Sequence, residues 1–139
     1  MRISSRHIIL VLLALICLFI GLINYLLFQQ NIILFRLLHI ENIGNPLVIY
    51  NPILKHFFTG YFSDTMWCIA LCLVTVVLSE LKYLNTAGKV LTLQLPFTLE
   101  AAQYFGIIQG TFDWLDILTY AIIVTAFSLL FKIFKKVRV

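Results

Sequence analysis

Residues 89–105 read KVLTLQLPFTLEAAQYF, and whether this stretch crosses a membrane decides the fold. From Leu91 to Phe105 it is apolar enough to enter a bilayer, yet it holds Pro96, Glu100 and Gln103. An ionisable side chain in a spanning helix costs about 2.5–3.5 kcal/mol on insertion scales, so it marks a functional site by default. Asp113 and Asp116 follow, just before a second apolar run from Ile117 to Phe134.

The composition around this stretch indicates a lipid environment. Hydrophobic residues make up 62% of the 139 residues and charged ones 12%, with a mean hydropathy of +1.02. Soluble domains are about 45–50% apolar and about 25% charged. The net charge of +4 does not form one basic patch, so nucleic-acid binding is not expected. Cys17, Cys68 and Cys72 all sit in apolar runs and read as packing residues, since nothing is spaced to complete a metal site with the Cys68/Cys72 pair.

A spanning helix needs about 20 mostly apolar residues. Three further spans meet or approach this at about 7–28, 64–80 and 115–134, the second being short. The first is longer than a signal-peptide core and lacks a small-residue cleavage site, so it reads as an uncleaved anchor. Basic residues then fix the topology. Arg2 and Arg6 place the amino terminus in the cytoplasm, and Lys132, Lys135, Lys136 and Arg138 place the carboxyl terminus there too. Both ends on one side require an even number of crossings, so residues 89–105 must cross. Lys82 and Lys89 then also fall inside, leaving only Arg36 and Lys55 outside. The expected fold is a single all-α membrane domain of four transmembrane helices, with both termini cytoplasmic.

In that topology Glu41, Asp64, Asp113 and Asp116 lie on the outer side. Glu100 is about twelve residues from the inner end of its helix, or about 18 Å, which puts it in the outer half of a core about 30 Å thick. The long outer connection, residues 29–63, is punctuated by Asn45-Pro46 and Asn51-Pro52. Its segment Ile53 to Phe62 has the aromatic and basic make-up of an interfacial element, expected to lie along the outer face.

Each candidate site residue has two readings. Glu100 and Gln103, at i and i+3, share a helix face, and Pro96 one turn earlier frees backbone carbonyls beside them. Glu100 serves either as a buried acid lining a ligand pocket or as a packing group bonded to Gln103 or to a neighbouring helix. Asp113 and Asp116 serve as helix caps or bind a cationic group, and Asp64 is equally ambiguous at the second span. Trp67 and Trp114 fit an outer aromatic belt. His39 and His56 lack metalloenzyme spacing. No metal site, nucleophilic triad, phosphate loop or cofactor fingerprint is present, and no cofactor is expected.

The pattern of Leu99-Glu100-Ala101-Ala102-Gln103 followed by Asp113-Trp114-Leu115-Asp116 resembles the E-x-x-Q … D-x-x-D signature of VanZ-like membrane proteins. The likeness extends from Asp64 onward, about half the chain. The Gly-Arg usual before the first Asp is replaced here by Gln109-Gly110-Thr111. The resemblance implies a small bacterial inner-membrane protein, with one founding member linked to glycopeptide resistance. The leading expectation is therefore an outer-leaflet pocket, formed by Glu100, Gln103, Asp113, Asp116 and Asp64, that binds an envelope-associated ligand. That ligand would be a lipid-linked precursor or a cationic amphiphile. The alternatives are a metal-assisted lipid-modifying enzyme and a non-catalytic subunit of a membrane complex. Membrane lipid is the expected partner, with a second membrane protein or another copy of the chain as further candidates.

Overall fold

The computed structural model describes residues 4–28, 48–108 and 112–136, with side chains described through Phe131. Helix α1 is Ser5–Phe28. Ser4 starts it in the manner of a capping box: its carbonyl accepts from the His7 amide at 2.9 Å, and its own amide donates back to His7 Nδ1 at 3.1 Å.

A short helix α2, Pro52–His56, is opened by Asn51, whose side chain accepts from the Ile53 and Leu54 amides, with proline at the first turn. It continues through a π-helical turn, Phe57–Tyr61, into α3, Phe62–Glu80. The segment expected to be interfacial is thus helical and runs straight into the second span. The expected shortness of that span is relieved in the same way, because Pro52–Glu80 forms 29 consecutive helical residues.

Helix α3 ends in a Schellman motif. Lys82 takes the left-handed position (φ 61°), Tyr83 donates to the Leu78 carbonyl at 2.9 Å and Lys82 donates to that of Ser79 at 3.2 Å. Helix α4, Thr86–Tyr104, starts on Asn85, whose side chain accepts from the Gly88 amide at 2.7 Å. It ends by the same device with Gly106 at φ 67°. There the backbone needs a residue without a Cβ penalty. Helix α5 is Trp114–Lys136. Among the described residues there are no strands.

Three of these helical stretches are long and apolar enough to cross a membrane: Ser5–Phe28, Pro52–Glu80 and Trp114–Phe131. Helix α4 has the length, 19 residues, but its lysine, glutamate and glutamines leave it less apolar than the other three.

Helix α3 is the hub and packs on α1, α4 and α5. The α1–α3 seam uses small residues, with Ala14 and Ala70 buried against each other and Leu73. This suits helices that associate in lipid through close backbone approach. A second cluster joins α3 to α4 and α5 through Cys68, Cys72 and Tyr120, packed by Leu93, Phe97 and Phe127. Large apolar side chains cover the outside, Phe19, Leu91 and Ile122 each being over 60% exposed. Neighbouring long helices alternate in direction. Arg6 and His7 of α1 meet Glu80 at the end of α3, at 3.2 and 3.0 Å. At the opposite end Tyr25 of α1 meets Asp64 at the start of α3, at 2.8 Å. These two ends are called the Glu80 end and the Asp64 end below.

Candidate ligand pocket

Four carboxylates gather at the Asp64 end, carried by different helices. Asp64 stands in the first turn of α3, Glu100 one turn before the close of α4, Asp113 just before α5 and Asp116 in the first turn of α5. The antiparallel run of α3, α4 and α5 brings these points together, although they are up to 52 positions apart in sequence. Asp116 lies within electrostatic reach of Asp64, Glu100 and Asp113. All four acids expected at the site are therefore brought together.

Their partners differ. Asp113 is the helix cap anticipated from sequence: its Oδ1 accepts from the Leu115 amide at 2.9 Å. Its Oδ2 accepts a short hydrogen bond from the Tyr61 hydroxyl, which in turn meets His56 Nε2 at 3.0 Å. The Tyr61 hydroxyl, aided by the Leu115 amide, holds the Asp113 carboxyl below the ordinary carboxylate value. Asp64 accepts from the Tyr25 hydroxyl. Asp116 is buried, 7% exposed.

Glu100 is the exception. It is 4% exposed, the backbone of Asp113 acts on its carboxyl, and its Oε2 finds no hydrogen-bond partner among the described residues. No hydrogen bond to Gln103 is formed, and the backbone contact from Asp113 still leaves Oε2 unsatisfied. Buried polar atoms are nearly always satisfied, and one that is not calls for a specific explanation.

That explanation lies beside it. A cavity of about 340 Å³ is walled by all four long helices, with Leu18 from α1 and Tyr120 from α5. Glu100, Gln103 and Asp64 line it together, and Pro96 forms part of the same wall. The i, i+3 pair thus faces one space, as its spacing implied. Away from these polar groups the wall is apolar, through Leu71, Val74 and Leu95. Small-molecule sites have this make-up: a mostly apolar pocket of about 300–1,000 Å³ with a few convergent polar groups. Asp113 and Asp116 stand beside the cavity and do not form its wall.

Among the described residues no three His, Cys, Asp or Glu side chains are grouped so as to hold a metal ion. His39, Arg36 and Glu41 lie outside the described residues. Trp67 forms cavity wall and packs edge-on against Tyr25, with ring centroids 6.4 Å apart.

Tyrosines are what sequence reasoning missed. Tyr25 and Tyr61 each donate to one of the acids, and Tyr120, 6% exposed, lies within electrostatic reach of Asp64, Asp116 and Glu100. For Tyr120 the signal was helical spacing, four residues after Asp116; Tyr25 and Tyr61 reach their acids from distant positions, which no spacing signals. Asn24 is a polar residue within the apolar run of α1. It proves to bind α1 to the α2–α3 stretch, donating to Ser63 Oγ at 2.8 Å and to the Phe58 carbonyl at 2.6 Å.

No known protein family, curated protein or solved structure matches this chain.

Proposed function

We propose that this chain is a four-span protein of the VanZ-like type in a bacterial inner membrane, whose outer-leaflet pocket binds an envelope-associated ligand. Glu100 and Gln103 line the pocket with Asp64, while Asp113 and Asp116 stand beside it and add to its negative charge. The observation that carries this reading is the unpartnered, buried Glu100 carboxyl in the wall of an otherwise largely apolar cavity.

The topology draws support from charge placement. Arg6, Lys82 and Lys89 all stand at the Glu80 end, whereas the four carboxylates stand at the other. The positive-inside bias makes the Glu80 end cytoplasmic. Helix α4 joins the two ends with 19 residues, about 28 Å at 1.5 Å per residue, close to the thickness of a bilayer core. Its lower apolarity fits a helix whose polar residues face a pocket, since intramembrane acids face bundle interiors.

Two measurements test the reading. Single cysteines at positions 82 and 112, placed in a background lacking the native thiols, should label from opposite sides of the membrane. Labelling from the same side would overturn the four-span topology. In cells that gain tolerance to an envelope-directed antibiotic from this chain, Glu100→Gln should remove the tolerance at unchanged membrane levels. Full tolerance in that variant would take Glu100 out of the site.

A further inference from the structure

Resting on the pocket proposed above, we infer that its ligand is an amphiphile with a cationic amine head, seated against Glu100 with its chain in the apolar part of the cavity. The geometry of the wall selects the shape. The acids and the amide of the wall sit at one end, Asp64 in the first turn of α3 and Glu100 and Gln103 in the last turns of α4. From there the wall runs along α3 to Val74, ten residues on and about 15 Å deeper. Along α4 it runs back to Leu95. The result is a polar seat above an apolar shaft. Three wall residues, Trp67, Leu95 and Leu99, are also each more than 40% exposed on the outside of the bundle. The shaft therefore reaches the lipid-facing surface, so a chain already dissolved in the bilayer can enter sideways.

The charge selects the head group. Glu100 lines the polar end with its Oε2 buried and without a partner among the described residues, and Asp64, Asp113 and Asp116 all stand within electrostatic reach of it. The ion pairs formed among the described residues, Arg6 and His7 with Glu80, lie at the other end of the bundle. An anionic head such as a phosphate would be repelled by this set. A bare divalent metal would need several ligands converging on one point, and the acids are not grouped that way among the described residues. An ammonium satisfies the site, since it carries three donors and one positive charge, and low local dielectric strengthens its attraction to each acid.

The test uses the full chain in phosphatidylcholine nanodiscs. The protein has two tryptophans, so Trp114→Phe leaves Trp67, in the cavity wall, as sole reporter. An ω-bromoalkylammonium should quench Trp67 saturably, at a concentration about tenfold below that needed with the matching ω-bromoalkanol. The ω-bromoalkyl phosphate should be weaker still. Glu100→Gln should erase the preference for ammonium and leave alcohol quenching in place. Continued protection of Cys68 and Cys72 from thiol reagents would show that this variant is folded. Leu95→Phe, which narrows the shaft without touching an acid, should weaken ammonium and alcohol alike.

Equal quenching by all three probes, or tightest binding of the phosphate, would overturn the cationic head and leave the pocket itself standing. Saturable ammonium quenching that emerged only in Arg36→Gln would mean that the chain supplies its own cation, which would also overturn the inference. Absence of saturable quenching by any probe would remove the pocket as well.

Discussion

Gly21→Ala is the most direct test of how α1 and α3 are held together. A Cβ at position 21 would stand 2.8 Å from both Cδ1 and Nε1 of Trp67, and 3.5 Å from Met66 Cβ. Ordinary contact begins near 3.4 Å, so something must yield by about 0.6 Å. Two responses are available. If α1 moves away from α3, it stretches the hydrogen bonds that cross the same seam: Asn24 Nδ2 to Ser63 Oγ at 2.8 Å and Ser63 Oγ to the Gly21 carbonyl at 3.2 Å. If Trp67 swings instead, it leaves Tyr25 and re-enters or vacates the cavity it lines. Overpacking of this kind costs about 1–3 kcal/mol. The assay is reversible unfolding in mixed micelles, followed by Trp67 emission in a Trp114→Phe background. The expected result is a loss of stability in that range together with a shifted emission maximum. A variant with unchanged stability and unchanged emission would refute the close approach of the two helices.

Asn24→Ala removes two donors from a buried seam and should destabilise the protein by about 1–2 kcal/mol, the range for interhelical bonds in lipid; the same unfolding titration reads it. Tyr61→Phe tests the Asp113 contact through pH. Because Tyr61 holds Asp113 below its ordinary value of 3.8, the stability it adds is fully present above that value and is lost as pH falls through the lower folded value. The stability gap between wild type and Tyr61→Phe should therefore be constant near neutrality and close in strong acid; a gap that widens in acid would contradict the assignment. Lys82→Gly should raise stability by about 0.5–1 kcal/mol, because it relieves a left-handed backbone at a cost in unfolded-state entropy. A loss of stability there would point to a role for the lysine side chain itself.

How much of this was legible in the sequence varies with the kind of signal. The helices at Ser5–Phe28 and Trp114–Lys136 follow from apolar runs of the right length, and their residues needed no partner to be recognised. The paired placement of Glu100 and Gln103 followed from helical spacing, and both do line one cavity. Asp113 was readable as a cap because capping is a local interaction. By contrast, the contacts that determine what each acid meets are between helices, and a single sequence carries no record of them. Tyr25 reaches Asp64 across 39 positions and Tyr61 reaches Asp113 across 52. The helix that carries the second apolar run begins well before that run does, for a different reason. Charged and aromatic residues from Lys55 to Asp64 masked a helix that Asn51 and Pro52 had already begun.

The π-helical turn at Phe57–Tyr61 has a consequence for how this molecule tolerates change. Such a turn holds one residue more than an α-helical turn, and each residue advances an α-helix by about 100°. Here the surplus residue sets the rotational phase of everything before it relative to α3. In that phase the Phe58 carbonyl points at Asn24, and the Phe58 ring meets Phe28 at 5.5 Å. His56 and Tyr61, five positions apart, stack edge-on at 5.1 Å. Deleting a single residue here would leave an unbroken, better-formed α-helix with its first two turns facing the wrong way. Length in this short stretch is therefore under tighter constraint than the chemical identity of most of its side chains.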